Sequence, residues 1–185
     1  MAFNVPDYTT DDFSFGPARL FIGVVGATPT SDVGGVNSGG TFTMTREKLT
    51  VEQGSPKIIV KEYSVRETAE INFESIEWDL NTLYQALGGG TYTPDNPVTD
   101  MSTLEFGGEM DITNVALRVV HVTPAGNTVT IDVFTASPAG NAEFNFGDDL
   151  HAFPLAFTAI RSTTDWASVA LASGKELFKI TYDKT

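Results

Sequence analysis

Thr68-Ala69-Glu70-Ile71-Asn72-Phe73 alternates apolar and polar side chains without a break. Strand side chains repeat every two residues, so Ala69, Ile71 and Phe73 face one way and Glu70 and Asn72 the other; a helix would scatter the three apolar groups around its circumference. Thr128 to Phe134 repeats the device, with Val129, Ile131 and Val133 on one face and Thr130 and Asp132 opposite. Near the C-terminus Phe178, Ile180 and Tyr182 alternate with Lys179 and Thr181. Phe15–Val24, Thr41–Thr45, Ile58–Arg66, Met101–Phe106, Ala116–Val122 and Leu155–Ile160 give further predicted strands. Thirteen Phe, together with many Val, Ile and Thr, suit half-buried pleated surfaces, and the predicted class is mainly β.

One segment departs from period 2. Between Ser75 and Leu87, Ile76, Leu80, Leu83 and Leu87 fall at i, i+4, i+7 and i+11, one face of a helix. This predicts a helix over about 76–87, with Ser75 as N-cap, Glu77 and Asp79 in the first turn where the dipole favours anions, and Gly88 as left-handed stop. Trp78 is expected buried between this helix and a sheet. Two long loops are predicted, 26–40, almost wholly turn chemistry, and 88–100, with three consecutive glycines and two prolines. An acidic N-terminal arm, residues 1–13, precedes one domain spanning 14–185. Pro124-Ala125-Gly126-Asn127 and Pro138-Ala139-Gly140-Asn141 stand one strand and one turn apart, the spacing of successive turns in a β-meander.

The charge balance narrows the chemistry. The 185 residues carry 11 Lys and Arg against 24 Asp and Glu, a net charge of −13, and no cysteine. Without cysteine there is no disulfide framework, zinc ribbon, iron–sulfur cluster or thiol nucleophile. The acid excess argues against gripping nucleic acid, which needs Lys and Arg to displace phosphate counterions, and against docking on anionic membranes. No apolar run approaches a transmembrane span, and the start lacks the basic and apolar regions of a signal peptide, so synthesis and folding in a cytoplasm are expected. Residues 61–120 hold eleven acids and three bases and carry most of the imbalance; the choice lies between an ordinary solvated face and a surface that must not bind something negative.

Signs of catalysis are thin. His121 and His151 stand 30 residues apart, without metal-ligand spacing. Ser38 lies one place late for a nucleophile elbow, and Val169 replaces the first glycine of a phosphate loop ending at Ser173-Gly174-Lys175. Asp148-Asp149 reads as a turn. No enzymatic activity and no metal or other cofactor is expected.

Phe15-Gly16-Pro17-Ala18-Arg19-Leu20-Phe21-Ile22-Gly23, followed by Asp32-Val33-Gly34-Gly35-Val36 and Thr41-Phe42-Thr43-Met44-Thr45, resembles the N-terminal portion of the major tail tube proteins of long-tailed, siphovirus-like bacteriophages. Val51-Glu52-Gln53-Gly54, the acidic hairpin Val65 to Ile71 and the glycine-ended segment Asn81 to Gly90 continue the resemblance in order, over roughly residues 13–90. It implies two packed antiparallel sheets, a β-sandwich or barrel, with one flanking helix and long assembly loops. It also implies a homo-oligomer of hexameric rings stacked into a tube that conducts genome DNA without binding it specifically. Tape-measure, tail-tip and terminator proteins would be partners, the virion tail the destination and the host cytoplasm the place of assembly.

Within that frame Glu62, Glu67, Glu70 and Glu74 are candidate lumen-lining acids, placed by charge count and alternation, that would repel phosphate. Phe15, Gly16, Asp32, Gly34, Gly35 and Trp166 are candidate contacts between subunits or rings, and the 26–40 loop and N-terminal arm would be ordered by such contacts. The competing reading is a carbohydrate- or receptor-binding sandwich, as in a capsid decoration or adhesin module, for which exposed Trp78 or Trp166 would be the platform. A carboxylate-pair enzyme is the third.

Overall fold

The structure is a computed structural model that describes residues 16–36, 39–95, 101–108, 111–140, 143–144 and 151–184. In chain order its elements are β1 (Arg19–Val24), β2 (Ser31–Asp32), β3 (Thr41–Gln53), β4 (Ile58–Ser75), α1 (Leu80–Leu87), β5 (Thr91–Thr93), β6 (Thr103–Glu105), β7 (Val115–Val122), β8 (Thr128–Pro138), β9 (Phe153–Ala159) and β10 (Phe178–Asp183). The fold is mainly β, with two antiparallel sheets and one helix, as the alternation and the resemblance led one to expect.

The large sheet has eight strands, in the order β2-β1-β7-β8-β9-β4-β3, with β10 also on β8. β8 is the corner. Its first half lies between β7 and β10, and its last residues, Ala136 to Pro138, pair instead with β9. Beyond that corner the sheet folds back over itself. Leu20 and Ile22 of β1, Leu117 of β7 and Val133 of β8 therefore share one core with Ile71 and Phe73 of β4 and Leu155 and Phe157 of β9. Phe42 of β3 meets Phe178 of β10 edge to face, with ring centroids 5.0 Å apart, where the two flanks of the fold come together. Fully burying each large core side chain contributes roughly 1.5–3 kcal/mol. Pro124 to Asn127 is the turn between β7 and β8, as the meander reading expects; in the second copy Pro138 ends β8 and the Ala139 N–H donates to the Ala156 carbonyl at 2.8 Å, while Asn141 lies outside the described residues.

The helix begins later than its apolar spacing predicts. Ser75 is the last residue of β4, paired with Phe153 and 1 % exposed, so it is a strand residue and not a cap. Asp79 caps instead: its carboxylate accepts from the backbone N–H groups of Asn81 and Thr82, each at 3.1 Å. Sheet pairing holds Ser75 extended, and Ile76-Glu77-Trp78 is the connection the chain needs to turn out of the strand. Gly88 stops the helix as predicted, at φ 69°. A side chain there would also come within 2.9 Å of Ile112 and 3.0 Å of Pro138, so the turn and the close approach both require glycine.

Part of each predicted loop is structured. Ser31–Asp32 adds to the edge of β1, Val33 is 2 % exposed, and Thr91–Thr93 pairs with Thr103–Glu105 to make the small second sheet against α1. The predicted strand at Phe15–Val24 is observed from Arg19, that at Met101–Phe106 shortens to β6, and Ile58–Arg66 and Thr68–Phe73 fuse into the single strand β4. The N-terminal arm at 1–13 and parts of the two loops (37–38 and 96–100) lie outside the described residues.

Candidate functional site

β3 and β4 form a long hairpin whose base joins the large sheet through β9 and whose far half projects as a two-stranded ribbon. A ribbon with water on both faces is only marginally stable alone. Its sequence is nonetheless apolar: Leu49, Val51, Ile58, Ile59, Val60, Tyr63 and Val65 are all exposed. Alternation along β3 says which way they point. At the base Phe42 faces the core, as do its β4 neighbours Ala69, Ile71 and Phe73. Counting outward by twos, Arg46, Lys48, Thr50 and Glu52 continue the core-side face, while Leu49 and Val51 lie on the opposite one. Cross-strand partners share a face, so Tyr63, opposite Leu49, and Lys61, opposite Val51, join them. A bulge at Val65, between the pairs Glu47–Arg66 and Lys48–Ser64, lets β4 follow the change. The apolar pattern thus inverts halfway along the hairpin: the base turns its apolar face to its own core and the far half turns it away.

The four candidate lumen acids divide between these faces. Glu70 and Glu74 flank Asn72 on the outward face of the base, exposed. Glu67 and Glu62 lie on the core-side face, beyond the core, and each is paired across the ribbon: Arg46 to Glu67 at 2.7 Å, Lys48 to Glu62 at 2.8 Å. The hairpin as a whole, Thr41 to Ser75, holds six acids and five bases. The charge excess is elsewhere. Residues 76–117 carry seven acids and no Lys or Arg.

The candidate contact residues are mostly engaged within the chain. Asp32 accepts from Arg19 and from the Gly34 N–H at 3.1 Å, and the Gly35 N–H donates to Glu77 at 2.9 Å. Ile76 N–H donates to the Gly35 carbonyl at 3.0 Å, and Val36 bridges to Ser75, so the Asp-Val-Gly-Gly turn latches the 26–40 loop onto the strand–helix junction. Gly16 lies beside His121, whose Nδ1 is 3.1 Å from the Pro17 carbonyl oxygen. Trp166 is half-buried on the outer face of the sheet, its ring under the Arg118 guanidinium at 4.6 Å and edge-on to Phe134. Arg118 in turn forks onto Asp132, its neighbour across the β7–β8 ladder, at 2.8 and 3.1 Å. Phe15 lies outside the described residues.

Trp78 corrects its expectation. It precedes α1 and is 55 % exposed, stacked on Phe144 at 5.7 Å and edge-on to Phe153 at 4.4 Å. Sheet packing was expected from its place on a helical face, but the later helix start moves it onto the connection. Beside it opens a groove of about 510 Å³ lined by Leu80, Leu83, Leu87, Leu104, Phe106 and Phe144. The indole N–H of Trp78 is the one polar side-chain atom in the described lining. Among the described residues no three His, Asp or Glu side chains converge to hold a metal ion.

The signal for the inverted ribbon is present in the sequence, where Phe42 and Met44 fall on even positions and Leu49 and Val51 on odd ones. It becomes readable only once the two runs are known to be one strand. No protein-family model matches the chain, and no curated protein is similar to it.

Proposed function

We propose that this chain is a structural subunit of a phage tail tube, which self-assembles into stacked hexameric rings around a conduit for genome DNA. The observation that carries the reading is the inverted hairpin. An apolar strip of Leu49, Val51, Ile58 and Tyr63 faces away from its own core and stands exposed, and monomers keep such surface small. A neighbouring copy supplies the cover. Among the described residues no strand pairs with the outer edge of the thirteen-residue β3, an edge that sheet closure between neighbours would remove.

The repelling surface is drawn more narrowly than the charge count alone suggests. Glu62 and Glu67 lie on the core-side face, paired with Lys48 and Arg46, and Glu70 and Glu74 lie on the outward face, where a bore wall would place them. Acids so placed keep phosphates at a distance instead of binding them. Purified protein, examined by light scattering and negative-stain microscopy, is expected to give rings with a central hole, and tubes at higher concentration. A monomer at every accessible concentration would overturn the reading.

The carbohydrate-binding alternative rests on the exposed Trp78. Sugar sites pair an aromatic platform with several polar groups for the hydroxyls, and this groove offers one indole N–H. Retention on a glycan array would reinstate that alternative.

A further inference from the structure

The groove beside α1 has an occupant of matching chemistry in the same sequence. Its described lining falls between Trp78 and Phe144, and across residues 67–160 Arg118 is the one Lys or Arg, bound to Asp132 on the outer face of the sheet. The segments that supply the lining are rich in acid: residues 76–117 carry seven acids and no Lys or Arg, and Glu143 precedes Phe144, although Glu77 and Asp79 are already engaged with the Gly35 N–H and the start of α1. The groove is apolar within acidic surroundings, and it fits an apolar segment flanked by cations.

Lys57-Ile58-Ile59-Val60-Lys61, at the tip of the hairpin, is such a segment. Its three apolar residues are between 55 and 64 % exposed. Lys57 has only a long contact, 3.9 Å, to Glu52, and Lys61 lies over the Tyr63 ring. The tip cannot enter the groove of its own chain. It opens β4, the groove follows the end of β4, and eighteen continuous residues of strand hold the two roughly 55–60 Å apart.

We propose that the Lys57–Lys61 tip of one copy docks in the Trp78–Leu83–Phe106 groove of the next. This rests on the tube reading above and specifies its contact. Donor and acceptor are different surfaces at opposite ends of one strand, so a joint repeated in one direction from copy to copy generates rings or open stacks. The apolar residues fill the groove, while the lysines meet the acidic surroundings and set the direction.

Because the chain has no cysteine, introduced thiols report this contact without background. One preparation carries Ile59→Cys and the other Phe106→Cys; they are mixed and oxidised with oxidised glutathione. The expected result is a disulfide-linked pair in the mixture, none with either preparation alone, and loss of the pair when Lys57→Glu and Lys61→Glu are added to the first. Val60→Cys with Leu104→Cys repeats the test at a second position, and circular dichroism checks that every variant is folded. Microscopy of the unmodified protein separates the two claims. Rings or tubes without either cross-link overturn the docking and leave the tube reading standing, whereas monomers throughout overturn both.

Discussion

Asp79 shows how one side chain decides where an element begins. Its carboxylate holds two backbone N–H groups and the Thr82 hydroxyl, so Asp79→Ala leaves the first turn of α1 uncapped. A loss of about 1–2 kcal/mol in stability is expected, read by urea denaturation of the unassembled chain. Ser75→Ala, by contrast, removes no cap and should leave helicity by circular dichroism unchanged. The sequence offered both residues, and Ser75 was the natural reading from the apolar period alone. What it omitted is that ladder pairing to Phe153 keeps Ser75 extended. Trp78 follows from the same shift: a residue expected inside a helix stands on the turn before it, largely in solvent.

At the scale of the element the hairpin is the informative feature. Replacing Leu49, Val51 and Tyr63 together with Thr removes exposed apolar surface and a cross-strand pair. It should cost the lone subunit less than about 1 kcal/mol. The same triple variant should lose its rings in negative stain, because the strip it erases is the one the proposed contact between copies covers. Leu117→Ala gives the contrasting case: the side chain is fully buried in the subunit core, and its loss should cost about 2–5 kcal/mol in denaturation. The acidic row makes its own prediction. Glu70→Lys with Glu74→Lys turns an outward repelling face into a cationic one, and assembled variant should retain duplex DNA at low salt and release it as salt rises, where the parent protein retains none. Retention of DNA by the parent would remove these two glutamates from the bore.

For the whole molecule, the proposed assembly ties stability to concentration. A subunit whose apolar strip is covered only by its neighbours gains stability by mass action, so Tm should rise with protein concentration over the range in which scattering shows rings. A Tm independent of concentration would say that the strip stays uncovered. The net charge of −13 acts in the other direction, since like-charged copies repel. Its distribution resolves the conflict: the hairpin is nearly balanced and the acid excess lies about the helix and the small sheet, so the balanced part of one copy can approach the acidic part of another.

Alternation and composition were enough to determine the class of this protein. Period 2 places apolar groups on one side of a strand whatever the strand pairs with, and the three runs that alternate cleanly, at 68–73, 128–134 and 178–182, all lie within strands. The sequence also contained the inversion between Phe42 and Leu49, the lysine-flanked tip and the base-free stretch from 67 to 117. Their meaning was decided by tertiary structure, because a face is inward or outward only relative to a core. Pairing along β4 fused two predicted strands into one, and so separated the tip from the groove by the length of that strand. Sheet pairing likewise moved the helix start, latched the Asp32–Gly35 turn and turned Trp166 against Arg118. These outcomes depend on partners far away in sequence, which no local period records.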